Sequence, residues 1–472
     1  MDIKKRLTIP RSAPRPLLFF IAVVVLLISS AFSGLGFEGH NAFFLIMGTV
    51  FLALWFVILF AAALPQTDGI LTGKTDILNR CVRIIFLGLI VVGLAEAAGY
   101  FILAPLLLKN HIISANFHQI LTTVRSDYEY NDATALSQQA VDNLLKGQNP
   151  YAHSNIVTAL QQFEGTYSRV TPVQTGQFAD AFPAPDNSQL EMVWDQAVQT
   201  PERVPPELES NVCYPAGSFL LPALFIRLGI TDIRIVYVIF ILAGLVYAAW
   251  VIPKQKRLLF ICLALVSLEL WNSVGVGELG SLCFPFLIVA WLSLKKNMWL
   301  SSICMGIAAA TKQTMWFFLP FYVILLWRTW GTKKSAAGIA IVAGVFLAAN
   351  LPFIFADHKL WLDSITSPMT DPLFPLGSGL ITLVTSGVLD IHATLPFAIL
   401  EGIVFITAIV WYFRYGARYP QTGPVLAILP LFFAWRSLFS YFFYVSILVL
   451  AYILIYDDTV SPDARMVKVK SS

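Results

Sequence analysis

Charge is scarce in this chain. Asp, Glu, Lys and Arg make up 12% of its 472 residues, against 57% hydrophobic residues and a mean hydropathy of +0.72. That balance excludes a soluble globular domain, and no nucleic-acid partner is expected. Cysteine is scarce as well. Cys81, Cys262, Cys283 and Cys304 fall in or beside hydrophobic segments and only Cys213 lies in a polar one, which excludes a disulfide framework and a cysteine metal cluster. His111, His118 and His153 share one polar segment without metal-ligand spacing. No cofactor or metal is assigned, although an acid-bound divalent cation stays open. No internal repeat and no low-complexity tract is present. The first apolar run, Leu17 to Leu35, follows a basic tail but lacks a small-residue cleavage site, so it is read as a retained anchor.

The abundant feature is long apolar segments, and these predict an all-α polytopic membrane protein with about twelve transmembrane helices, 11–13 in range. Basic residues orient it. The N-terminal tail, Lys74 to Arg83, Pro253 to Arg257, Lys295 and Lys296, Arg328 to Lys334, Arg414 and Arg418, and the tail from Arg465 are expected on the cytoplasmic side, with both termini. Three early spans, near 17–36, 42–64 and 83–108, then leave the segment from residue 109 outside. Up to Asn211 that segment carries five Lys or Arg against twelve Asp or Glu, in keeping with an external location. Three regions follow: a three-helix membrane region (1–108), an external acidic loop (109–215) and a second membrane domain (216–472). The Pro-rich part of the loop, 181–206, reads as an extended cover, and 216–252 and 378–413 as one crossing each.

The second membrane domain is punctuated by polar apices. Apolar pieces 258–271 and 281–294 flank the Gly-rich stretch Asn272 to Gly280; Lys312 and Gln313 interrupt the run between Lys296 and Arg328; Trp435–Arg436–Ser437 interrupts the run between Arg418 and Arg465. Legs of 13 or 14 residues rise only about 20 Å, against a hydrocarbon core of roughly 30 Å. The first two apices should therefore stop short of the outer surface, where charge is tolerated only in a cavity or buried in protein. An outward cavity containing Glu278, Lys312 and Arg436 is the expected arrangement.

The most informative stretch runs from Asn131 to Tyr151, polar and helical in pattern between long hydrophobic runs. Together with GQNPYA (Gly147 to Ala152), YPAGSFLLPAL (Tyr214 to Leu224), GIAAATKQTMWFFLPF (Gly306 to Phe321) and WRSLFSYFF (Trp435 to Phe443), it resembles the GT-C superfamily of multi-spanning glycosyltransferases. The nearest likeness is to bacterial polyprenyl-phosphate-dependent mannosyltransferases. The two added spans before the loop depart from the simplest family plan. The resemblance implies transfer of a sugar, mannose among the candidates, from a polyprenyl-phosphate donor to a hydroxyl of a glycan, lipid or protein acceptor on the outer face of the cell membrane. It also implies that an acid of the first large loop is the base, and Asp132 matches that position.

Such chemistry needs a carboxylate to take the acceptor proton and fixed positive charge where the leaving phosphate gathers negative charge. Asp132 with Lys312 and Arg436 meets the requirement, with Asp127 and Glu129 as alternative bases. Glu278, Gln313, Tyr151 and Tyr214 are candidate substrate contacts. Each has a blander rival: a solvated loop acid for Asp132, a snorkelling side chain for Lys312, an interfacial anchor for Arg436, and a helix cap for Glu278. For Tyr151, Tyr214 and Trp316 the commoner role is packing. Glu96, Glu269 and Glu401, each in an apolar run, read as paired structural acids. The competing class is a lipid-linked sugar flippase or transporter, which intramembrane charges would also suit.

Overall fold

The basic tail and first apolar run meet at Pro14, where helix α1 (Pro14–Glu38) begins. It turns back tightly into α2 (Ala42–Ala63), which starts on the side chain of Asn41, an acceptor for the amides of Phe43 and Phe44. The computed structural model describes residues 14–456 apart from 40, 72, 99–129 and 164. Arg15 belongs to α1 rather than to a free tail, and its guanidinium pairs at 3.0 Å with Asp68 on the short α3 (Gln66–Leu71). The next helix, α4 (Thr75–Ala98), ends where the described residues stop.

The acidic segment folds as a helical layer with its own core. Its helices are α5 (Asp132–Leu145), α6 (Ile156–Gln161) and α7 (Asn187–Gln199), followed by α8 (Gly217–Arg227). Leu136, Ala140, Val141, Ile156, Leu160 and Trp194 pack with Phe219, Tyr237, Leu282 and Phe353, so the layer is continuous with the apolar helices below. Within the Pro-rich 181–206, only the flanks are irregular, and residues 187–199 form a helix where an extended cover was expected. An Asp186–Gln189 capping box starts α7, and Leu190, Val193, Trp194 and Ala197 give it one buried face.

Three hairpins follow. After α9 (Ile233–Val251), α10 (Arg257–Val266) and α11 (Leu268–Gly275) lead to the turn at Glu278, and α12 (Gly280–Ser293) returns. A second hairpin rises along α13 (Met298–Ala309) to Lys312 and descends through a 3-10 turn, Gln313–Phe318, into α14 (Leu319–Ala356). That last helix is not one rod, because Gly331 adopts φ 73° and ψ 175° within it. Trp316 and Phe346 have ring centroids 6.1 Å apart, whereas thirty residues of straight helix would separate them by about 45 Å. The chain therefore folds back at Gly331, a conformation glycine adopts without a Cβ clash, beside the basic residues expected at a turn.

Next come α15 (His358–Thr370), α16 (Thr382–Thr385), α17 (Leu395–Tyr415), α18 (Gly423–Ile428) and α19 (Val445–Tyr456). Between the last two, Arg436–Ser437 pairs in parallel with Leu376–Gly377. Residues around 371–377 also join the polar layer, since Gln174 N donates to Pro372 O at 2.8 Å and Trp435 Nε1 to Leu373 O at 2.8 Å. The α19 helix is buried on all sides from Val445 to Leu454, as an all-apolar helix at the centre of a bundle must be.

Six helical stretches among the described residues are long and apolar enough to cross a membrane: Pro14–Phe37, Ala42–Ala63, Ile233–Val251, Gln313–Ala356, which is divided at Gly331, Leu395–Tyr415 and Phe439–Tyr456. A seventh arises if Lys254–Val266 and Leu268–Gly275, bent by 53°, form one span. The multi-pass, all-α class holds, and the expectation of about twelve crossings does not. The excess came from hairpin legs: α12 and α13, with 14 and 12 residues, rise about 21 and 18 Å, too short for a full crossing. Residues 216–252 divide at Gly229 into the short α8 and a single long α9.

Candidate functional site

The amino end of α5 is built to hold Asp132 against the first hairpin turn. Asn131 caps the helix, accepting from the Thr134 amide at 2.7 Å. Its own amide donates to Glu278 Oε1 at 3.3 Å, and Thr134 Oγ1 donates to Gly277 O at 2.6 Å. Gly277 has φ +80°, and a Cβ there would lie 2.6 Å from Thr134 Cγ2. The turn thus needs glycine both for conformation and for close approach. Asp132 is half-buried at the first helical position. It accepts the Ala133 amide at 2.7 Å on one oxygen and the Thr171 hydroxyl on the other.

The second hairpin delivers Lys312 to the same place. Only 4% exposed, it does not snorkel; its Nζ lies 4.0 Å from Glu278 Oε2 and over the rings of Tyr214 (5.9 Å) and Tyr441 (5.5 Å). Glu278 therefore faces Lys312 and Asn131 instead of capping a helix. Burial pushes its carboxyl above the usual range, while the Lys312 ammonium pulls it back and the Asp132 charge adds to the rise. Arg436, from the third hairpin, is half-buried and close enough for its charge to act on Tyr441. The first two polar apices thus meet beneath α5, and Arg436 of the third lies near Tyr441, whose ring faces Lys312.

Two further acids join Asp132, and neither stands out in the sequence. Thr171, whose hydroxyl bonds Asp132, also accepts the Glu209 amide on its carbonyl at 2.9 Å. Glu209 in turn lies within reach of the Asp371 carboxylate. Burial first, then the Asp371 and Asp132 charges, push Glu209 up to about 7. Cys213 is pushed up to about 12, mainly by burial and then by Glu209 and Asp132, so its thiol stays protonated and unreactive at neutral pH. The available signals were weak: Glu209 stands just before the YPAGSF motif, and Asp371 is an acid beside prolines between two apolar runs.

Other candidates have structural work. The Gln313 amide donates to Cys213 O and to Ile365 O, the latter at 2.9 Å, so it fastens the layer to the hairpin. Tyr151 is buried edge-on to Phe219 and Phe353 and donates to Tyr214 O at 2.9 Å. Trp316 donates to Ala309 O at 2.9 Å and packs on Phe346. Glu401 lies near Tyr441. Asp127, Glu129, His111, His118 and the Glu96 side chain lie outside the described residues. Among the described residues no group of three or more His, Cys, Asp or Glu is arranged to hold a metal ion.

No family model, no curated protein and no solved structure matches the chain.

Proposed function

We propose that this protein is a membrane glycosyltransferase that moves a sugar from a polyprenyl-phosphate donor to an acceptor hydroxyl at the polar-layer face of the membrane. The observation that carries the reading is the meeting of a half-buried carboxylate, Asp132, with a buried cation, Lys312, through Glu278 and Asn131. Acceptor oxygen attacks the anomeric carbon as Asp132 takes its proton, and the sugar–phosphate C–O bond breaks with both electrons leaving on the phosphate. Lys312, as a point charge, and Arg436, as a bidentate fork, neutralise that leaving group. Tyr214 and Tyr441 offer faces to the sugar ring or the isoprenoid.

The transporter reading draws on Glu401, an acid within an apolar helix and beside Tyr441. The two are separated by supplying membranes with radiolabelled polyprenyl-phosphate sugars. New product that requires Asp132 supports the transferase; uptake of intact lipid-linked sugar without bond cleavage supports the transporter. Orientation has its own test, with Cys81 and Cys213 replaced by serine. External reagent should label Ser168→Cys and not Lys296→Cys; the reverse pattern removes the external site.

A further inference from the structure

The turn at Gly331 forms a second polar feature, at the opposite end of the Gln313–Trp330 leg from Lys312. A groove of about 320 Å³ is lined there by Lys296, Asn297, Trp299, Trp330, Lys333 and Lys334, large enough for a phosphate with a small polar substituent. All three lysines are exposed, and among the described residues none forms an ion pair. The sequence holds no Asp or Glu between Glu278 and Asp357, so neither hairpin strand that builds the groove supplies a counter-charge. Lys334 Nζ stands 4.9 Å over the Trp330 ring, whose Nε1 is held by Leu294 O at 2.8 Å.

From these observations we infer that the groove binds the phosphate of an anionic membrane lipid. A free anion would need only the lysines. The groove, however, opens onto apolar surface: Trp299 is 60% exposed and Ile303, one helical turn further along α13, is 42% exposed. A headgroup on the lysines lays its acyl chains along this stripe, with Trp299 at the level where indole rings favour a membrane interface. The inference does not rest on the glycosyltransferase reading, since the groove and Lys312 occupy opposite ends of the leg.

Native mass spectrometry of the purified full-length chain, with phosphatidylglycerol and phosphatidylcholine as probes, tests it. The wild type should retain phosphatidylglycerol in preference to phosphatidylcholine. Each of Lys296→Gln, Lys333→Gln and Lys334→Gln should weaken phosphatidylglycerol binding about fivefold, and the triple variant roughly a hundredfold, as expected for ~1 kcal/mol per basic residue near an anionic surface. Phosphatidylcholine binding should not change, and Lys359→Gln, another exposed lysine, should behave as wild type. Trp299→Ala should weaken lipid binding severalfold. A triple variant that stays monodisperse and retains phosphatidylglycerol fully overturns the proposal. So does displacement of the lipid by an equal concentration of inorganic phosphate, which would make the groove a free-anion site.

Discussion

One helical leg, Gln313–Trp330, carries lysine at both ends, and the two ends solve the problem of charge differently. Lys312 is nearly inaccessible, and its ammonium is met by one carboxylate and two aromatic faces. Lys333 and Lys334 stand exposed beside Lys296, with Lys334 over the Trp330 ring and no carboxylate at hand. A buried ion is stable only with specific partners, so the Lys312 end has a defined geometry and is sensitive to single changes. An exposed cluster acts through summed, screened charge, and tolerates the loss of any one member. Chemistry that requires placed atoms belongs at the first end, and recognition of a diffuse anionic surface at the second.

The sharpest test of this contrast is Asp132→Asn. It keeps shape but cannot accept a proton, so transfer should fall by about 10²–10⁴-fold with little change in melting temperature. Normal transfer would remove Asp132 as base, and dead Asp127→Asn or Glu129→Gln variants would then reassign the role within the same segment.

Next in size, Lys312→Ala should lower turnover by well over tenfold and leave Glu278 without its cation, at a cost of about 3 kcal/mol. Lys312→Arg should keep part of the activity. The pair Lys312→Met with Glu278→Gln should restore the melting temperature but not transfer. Recovery of both would reduce Lys312 to a structural ion.

A smaller effect is expected from pH. Glu209 holds its proton up to about 7 in the fold, against 4.5 for an ordinary glutamate. The folded state therefore binds more protons between these values. The stabilisation is complete below about pH 4.5 and is lost as pH rises through about 7. Melting temperatures at pH 5.5 and 8 should show a decline in the wild type that Glu209→Gln flattens. An unchanged slope would mean that Glu209 does not carry the proton.

The smallest change is predicted for Lys333→Gln, within about 0.5 kcal/mol of wild-type stability by thermal melting, as for an exposed site without a fixed partner. A loss as large as that of Lys312→Ala would abolish the distinction between the two ends.

The chain's composition by itself determined the membrane class, because so apolar a surface has no stable home in water. Basic flanks and polar interruptions marked the hairpins and their turns, including the one at Gly331, since a charge needs water or a partner and so declares its position locally. The number of crossings was not legible, because a short apolar leg and a full span look alike until their packing is known; the helix 187–199 was hidden by the prolines around it. Only the tertiary structure brought Thr171, Glu209 and Asp371 to Asp132, and only it occupied the Gln313 amide with two backbone carbonyls. Those contacts join segments far apart in the chain, and their partners are chosen by how the helices pack rather than by any local pattern of residues.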